Sequence, residues 1–518
     1  MNADQDHPAR PAAVSRPRSM VVVLLDSLNR HLLGPYGASE FDTPNIDRLA
    51  RRALRFTAHY AGSLPCIPAR HDILCGALDF LWKPWGSIEV WEDAITAELA
   101  KAGITTMLVT DHPHLFETGG ENYHTDFTAW AYLRGHESDP WRTRPDPSWA
   151  GTPTLPAAPA VPTKPYDWSR TWFRDEADFP GPRTMQAAAD WLRWDAPAAE
   201  PFLLLVDEFD PHEPFDTPEP WASRYDTGWS GPRLVWPPYG TRIVETGVLT
   251  TEQARHVRAN YGAKLSMIDH WLGRILDAMD DSGRWDDTAF VLCTDHGHYL
   301  GERDMFGKPN APIYRELGHI PLLVAWPGRP AGQIDALTTS VDLYATLADV
   351  FGVRAMHRTH GRSLLPLITG TSAAVRDHVL CGVWGRHVQV IDQHRLYSRS
   401  PTGSNFPLSL WSNRWSTMPR PGHRLHRLPR PDHRARLDTM PGSTVPVIRQ
   451  PFTPGDLLPF HAYDVETDHH RLFDLDDDPD ELVNRAGTTA EADAVELLRD
   501  ALQAVDAPQE QLQRLGLS

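Results

Sequence analysis

The sequence predicts an α/β protein: a large, mostly parallel sheet flanked by helices, followed by a smaller C-terminal α+β domain. Three observations predict it. Short apolar runs alternate with segments of helical periodicity. The runs are apolar throughout rather than at every second residue, as strands buried on both faces are. Four of the five runs lead at once, or within one residue, into an aspartate. The runs are Met20 to Leu25, Thr105 to Val109, Phe202 to Val206, Ala289 to Cys293 and Ile320 to Ala325, and the acids are Asp26, Asp111, Asp207 and Asp295. Ligands of open α/β sheets bind just beyond the carboxyl ends of the strands, so these acids are expected to converge on one crevice.

Between the strands, Thr43-Pro44 supplies an N-cap and a first-turn proline for a helix whose apolar face is Ile46, Leu49, Ala50 and Ala53. A second helix is expected from Asp93 to Ala102, stopping at Gly103. A long third helix, from Glu252 to Met279, carries Val257, Tyr261, Leu265, Ile268, Leu272 and Ile275 at helical spacing, which is a core stripe. Residues 134–182 are rich in Pro and Trp with little periodicity and read as an insertion draped over the surface, walling the crevice. Beyond residue 375, Val379 to Val383, His387 to Ile391 and Arg395 to Ser398 read as short antiparallel strands. The expected organisation is a tail over residues 1–19, a main α/β domain over 20–375 and the smaller domain over 376–518. Within the last, Arg414 to Arg436 holds seven Arg, three His and one acid. It reads as a solvated loop or subunit contact, with a lid for an anionic ligand as the alternative.

Composition narrows the function classes. Fifty basic against 68 acidic residues give a net charge of −18, a field that repels nucleic acid and anionic membranes. Neither is expected as a partner. No apolar run approaches the ~20 residues of a membrane span, and residues 1–19 lack the apolar stretch of a signal peptide, so a cytoplasmic location is expected. Four Cys in 518 residues make no disulfide framework, so a Cys that matters does so through its chemistry.

One Cys stands in a rich context. Downstream of Thr43-Pro44-Asn45-Ile46-Asp47-Arg48-Leu49 come Cys66-Ile67-Pro68-Ala69-Arg70 and then Ile73-Leu74-Cys75-Gly76. Later come Asp295-His296-Gly297-His298-Tyr299-Leu300-Gly301-Glu302 and Lys308, then "IPLLVAWPG" from Ile320, "HGRSLLPLITG" from His360 and "LFDLDDDPDELVN" from Leu472. In this order the blocks resemble the type I sulfatases of the alkaline-phosphatase superfamily, with features of the phosphonate monoester hydrolase branch. The resemblance spans roughly residues 20–490.

The resemblance implies an alkaline-phosphatase-like fold and a metal-dependent hydrolase of sulfate esters. Its nucleophile would be a formylglycine made from Cys66 by a formylglycine-generating enzyme. An aldehyde there hydrates to a geminal diol, a divalent metal lowers the pKa of the attacking hydroxyl, and loss of the second hydroxyl's proton expels the transferred group. Metal ligation would fall to Asp26, the modified Cys66, Asp295 and His296, with one ion, Ca²⁺ or Mn²⁺. Relatives usually carry two adjacent acids where this chain has Asp26-Ser27. One carboxylate fewer and one nitrogen more weaken the case for Ca²⁺ and leave Mn²⁺, Mg²⁺ or Zn²⁺ open. Arg70 would reach back one helical turn to the formylglycine and metal side, and Lys308 would hold an oxygen of the transferred group. His212, in Asp210-Pro211-His212-Glu213-Pro214-Phe215, would contact that group or protonate the leaving oxygen. At Thr110-Asp111-His112-Pro113-His114, sulfatases commonly place a Lys that this chain lacks; Asp111 stands near that place, and His112, ahead of His114, is the expected base. An acid there would disfavour a compact sulfate dianion, so a phosphonate monoester or phosphodiester hydrolase is the alternative. The substrate is expected to be a small-molecule ester, and the oligomeric state is open between a monomer and a homo-oligomer.

Overall fold

The structure is a computed structural model that describes residues 16–149, 155–156, 164–225, 227–308, 312–355, 357–418, 430–459, 462 and 465–518. Its centre is an eight-stranded sheet of β1 (Ser19–Leu25), β2 (Ala53–Phe56), β3 (Thr105–Thr110), β4 (Ala129–Tyr132), β5 (Phe202–Glu208), β6 (Thr288–Cys293), β7 (Leu322–Ala325) and β8 (Gly332–Ile334). The spatial order is β8-β2-β7-β6-β1-β5-β3-β4. All neighbours pair in parallel except β7, which runs antiparallel to β6 and β2. The expected mostly parallel sheet is therefore present, and the five apolar runs are β1, β3, β5, β6 and β7. Three further strands, β2, β4 and β8, escaped the sequence pattern because they are short and partly polar or exposed.

Strand β1 shows why the runs are apolar throughout. Every residue in it is buried. Val21, Val23 and Leu25 face one core and Met20, Val22 and Leu24 the other, as the two-residue period requires. The helices Pro180–Asp190 and Thr251–Asp281 cover the first core; Cys66–Cys75, Ile95–Lys101 and Val341–Phe351 cover the second. With β5 on one side and β6 on the other, the carboxyl end of β1 is the point where strand order reverses and a crevice forms.

Helix ends depart from expectation in instructive ways. The helix Pro44–Ala50 follows Thr43, but the Thr43 side chain makes no capping bond. The Asp269 carboxylate, from the long helix, accepts instead from the backbone N–H groups of Asn45 at 3.0 Å and Ile46 at 2.7 Å. The long helix itself starts in a capping box of Thr250 and Gln253.

The helix Cys66–Cys75 ends at Gly76, whose φ of +73° favours glycine, and a Cβ there would lie 2.6 Å from the Tyr344 ring. Gly76→Ala combines backbone strain with overpacking, and is expected to cost about 2–4 kcal/mol in a denaturant titration. A loss below about 1 kcal/mol would show that the ring yields freely.

The segment read as an insertion contains a helix, Lys164–Arg170, that its Pro-rich composition concealed. Tyr166, Phe173 and Phe179 pack there with Val235 and Trp236. Its near end brings His136 to 2.6 Å from Asp210.

The three predicted C-terminal strands form, as Val379–Gly382, Val388–Ile391 and Arg395–Arg399, and join Arg471–Asp474 in an antiparallel sheet. A second antiparallel sheet comprises Leu408–Ser412, Pro446–Phe452 and Arg436–Thr439. Of the Arg-rich stretch, residues 419–429 lie outside the described residues. The strand Val379–Gly382 is stitched to the loop before Cys66: Leu64 N–H donates to Gly382 O at 2.9 Å, and Gly382 N–H to Gly62 O at 3.0 Å. No helix among the described residues is long and apolar enough to cross a membrane.

Candidate active site

Cys66 opens its helix directly over the crevice, where unsatisfied N–H groups and the helix dipole favour negative charge. Its side chain is buried, and three groups converge on the sulfur: His296 Nε2 at 3.3 Å, Lys308 Nζ at 3.5 Å and Asp26 Oδ1 at 3.9 Å. Burial, reinforced by Asp26, pushes the thiol well above its ordinary value. As an unmodified thiol it stays protonated at neutral pH and is a weak nucleophile.

Ligating atoms of Asp26, Cys66, Asp295 and His296 lie within 4.8 Å of one another. The hydrogen bonds around them orient these atoms inward. His296 Nδ1–H donates to Gly297 O at 2.8 Å, which leaves the Nε2 lone pair facing the sulfur. Asp295 Oδ1 accepts from the backbone N–H groups of His296 at 2.7 Å and Ser27 at 3.0 Å. Asp26 Oδ1 accepts from Ser27 Oγ at 2.8 Å, and its buried Oδ2 is ion-paired with Arg70 Nη2 at 3.0 Å. Ser27, with φ +63°, stands where a second acid was expected and contributes hydroxyl bonds instead, accepting from Lys308 Nζ at 3.0 Å.

Arg70 binds the carboxylates together. Nε donates to Asp207 at 2.9 Å; Nη1 donates to Cys66 O at 3.0 Å and Asp295 Oδ2 at 2.8 Å; Nη2 lies 2.7 Å from Asp207 Oδ1 and 3.0 Å from Asp26 Oδ2. The guanidinium thus reaches the backbone of residue 66 and the carboxylates of Asp26, Asp207 and Asp295, and all its N–H groups are engaged. Burial works against its charge, but Asp207, Asp26 and Asp295 hold its pKa well above the ordinary value.

The histidines divide. His112 Nε2 lies 3.4 Å from Asp26 Oδ2, and burial, with Arg70 nearby, keeps the ring neutral. His114 is turned to Glu117 and Glu137; burial opposes its charge, but those acids raise its pKa to about 9. His212 stacks on Phe209 with centroids 4.1 Å apart and donates Nδ1–H to Glu213 O at 2.8 Å, leaving Nε2 as its other exchangeable end.

Three of the four strand-end acids meet as expected, and one does not. The Asp111 carboxylate accepts from Phe209 N–H at 2.8 Å and is not among the three carboxylates that Arg70 gathers. Several residues at the site carried no assigned role in the sequence reading. Asp207 was legible as a strand-end acid. Ser27 follows Asp26 directly. Glu213, hydrogen-bonded by Tyr239, and Glu137 bring carboxylates within 4.8 Å of each other beside His212; nothing in the insertion's composition singled out Glu137.

Residues 18–353 match the family model described as Sulfatase. A choline-sulfatase of Rhizobium meliloti (strain 1021) is 27% identical over 382 residues, covering 68% of this chain and 72% of its own. The multifunctional alkaline phosphatase superfamily protein PehA of Trinickia caryophylli is 26% identical over 406 residues, covering 65% and 74%. The crystal structure of the phosphonate monoester hydrolase of Agrobacterium radiobacter has the same fold, with a TM-score of 0.63 at 18% identity over 95% of this chain and 96% of that one.

Proposed function

The chain belongs to the sulfatase family and is a sulfuric ester hydrolase, and from that premise we propose that residue 66, oxidised to formylglycine and held beside one divalent ion, attacks the sulfur of a sulfate monoester. The observation that carries this reading is the convergence of Asp26, Asp295 and His296 on Cys66, with the His296 tautomer set by Gly297 O. The residues fit a cation. Two carboxylates and an imidazole nitrogen converge with residue 66 to within 4.8 Å of one another, a donor set of hard oxygens and imidazole that suits a divalent ion. When present, the ion supplies Lewis-acid stabilisation of charge at residue 66, and the formylglycine supplies a nucleophilic oxygen in place of the thiol. Maturation then calls for a formylglycine-generating enzyme.

The chain's own groups do the rest. Lys308, 3.5 Å from the sulfur, binds an oxygen of the transferred group together with the N-terminal end of the Cys66 helix. Arg70 fixes the carboxylates and the backbone of residue 66. His112, expected as the base, accepts the His114 N–H on Nδ1 at 3.2 Å, so its neutral ring keeps a proton on Nε2 and steadies Asp26 on the nucleophile side rather than taking a proton there. His212 exchanges a proton through Nε2 with the leaving oxygen. Lys308→Ala is expected to lower kcat by about 10²–10³ in a steady-state assay; a change under about fivefold would remove Lys308 from the reaction.

The second reading, a phosphonate monoester or phosphodiester hydrolase, draws support from Ser27 in place of a second acid and from the fold shared with such a hydrolase. Comparing kcat/KM for 4-nitrophenyl sulfate and 4-nitrophenyl phenylphosphonate separates the two. Faster turnover of the sulfate is expected. Turnover of the phosphonate faster by orders of magnitude would reverse the assignment.

A further inference from the structure

The geometry of His212 limits what it can give to a leaving oxygen. Nδ1–H donates to Glu213 O at 2.8 Å, so the neutral ring carries its one proton there and Nε2 is bare. To hand over a proton from Nε2, the ring must first be an imidazolium. The charge standing at Nδ1 therefore decides whether His212 acts as an acid.

The Glu213 carboxylate stands at that position. Its Oε2 is 3.3 Å from His212 Nδ1, and both side chains are buried, so water screens the charge little. His298 Nε2, 3.4 Å away, is the other neighbour of that oxygen. Burial works against the charge of Glu213, but His212 and Lys308 hold its pKa well below the ordinary value, so it is ionised. Burial likewise pushes His212 well down; Glu213 and Asp26 oppose this, and Lys308 adds to it. Of the groups that favour the protonated ring, Glu213 acts most strongly.

The carboxylate is held by its second oxygen. Tyr239 OH donates to Glu213 Oε1, and the phenol stays a donor because burial, and then Glu213 itself, hold its pKa well above the ordinary value. Antiparallel pairing of Gly240–Thr241 with Met305–Gly307 lays the Tyr239 ring on Gly307, where a Cβ would come 2.5 Å from it. Gly307 directly precedes Lys308, so one strand pair fixes both the anchor of Glu213 and the cation beside residue 66.

Resting on the reading of His212 as the acid, we infer that Glu213 is a positioning residue for the departure of the alcohol: its carboxylate, held by Tyr239, lets His212 carry the second ring proton that the leaving oxygen receives. The negative charge of a bound ester adds to that of Glu213 in drawing this proton onto the ring. As the bond from sulfur to the leaving oxygen breaks, its electron pair stays on the oxygen. The Nε2 proton joins it to give the alcohol, and His212 returns to the neutral Nδ1–H form.

The test compares 4-nitrophenyl, phenyl and 4-methoxyphenyl sulfates on the matured enzyme, since their leaving oxygens differ in how much they need a proton. Glu213→Gln keeps the shape and removes the charge. It is expected to lower kcat about ten- to a hundredfold on the phenyl and 4-methoxyphenyl esters and less than about threefold on the 4-nitrophenyl ester. Tyr239→Phe should give a weaker split of the same kind, and Glu213→Gln should add nothing to His212→Asn. Equal losses on all three esters would make Glu213 merely structural and overturn the inference, as would full rates in Glu213→Gln. A split in His212→Asn without one in Glu213→Gln would overturn it while the reading of His212 stands; no split in either removes both. Two divalent ions per chain in the parent and one in Glu213→Gln would also overturn it, because Glu137, His212 and Glu213 would then be ligands of a second cation. Should no sulfate ester turn over, the hydrolase reading fails, and the ring ¹⁵N shifts of His212 in the full chain with inorganic sulfate still decide the inference. An imidazolium in the parent and a neutral ring in Glu213→Gln support it; the same ring state in both refutes it.

Discussion

Cys66→Ala, assayed with metal and saturating substrate, should lose about 10⁴–10⁶ of the kcat of the converted parent. The substitution removes one buried atom and its contacts with His296, Lys308 and Asp26, but Arg70 still holds the backbone carbonyl of residue 66 at 3.0 Å and Ser27 still bonds Lys308 and Asp26. The variant should therefore fold and melt close to the parent, and the loss should fall on kcat rather than on structure. Lys308, the helix N-terminus and the carboxylate cluster would all remain in place. Residual activity near the parental level would mean that these groups activate water directly, with position 66 only a bystander.

Arg70→Ala is expected to be the most destabilising substitution at the site. Asp26, Asp207 and Asp295 are buried, and each reaches the guanidinium within 3.0 Å. Removing it strands three carboxylates away from water, which costs about 3–5 kcal/mol when a single buried pair is broken. The shift would be read from denaturant midpoints of the metal-free protein. Arg70→Lys should recover only part of it, since one ammonium cannot reproduce the planar fork that spans all three acids. A divalent cation should restore part of the midpoint of Arg70→Ala, because Asp26 and Asp295 regain a counter-charge while Asp207 does not. No response to any divalent ion would argue that the carboxylates do not form a cation site.

These predictions rest on features of unequal legibility in the sequence. The central strands were readable because burial on both faces leaves an unbroken apolar run, as in β1 with its alternate residues in two cores. The direction of β7 was not, since pairing sense is decided by connections rather than composition. The acids Asp26, Asp207 and Asp295 were readable from their place after strands, yet Asp111 obeyed the same rule and turned away to hold Phe209 N–H. A strand-end position fixes where a backbone lies; neighbouring backbone donors decide where the carboxylate points. Thr43 illustrates the same limit, being displaced as a cap by Asp269 from far along the chain.

Mass spectrometry of the peptide containing residue 66, run beside the assay on the same preparations, tests the central claim most directly. Conversion replaces a sulfur and two hydrogens by one oxygen, so the two forms separate cleanly. Specific activity should rise in proportion to the converted fraction and vanish in preparations whose peptide is entirely thiol. Full activity in a preparation carrying only the unmodified thiol would contradict the account.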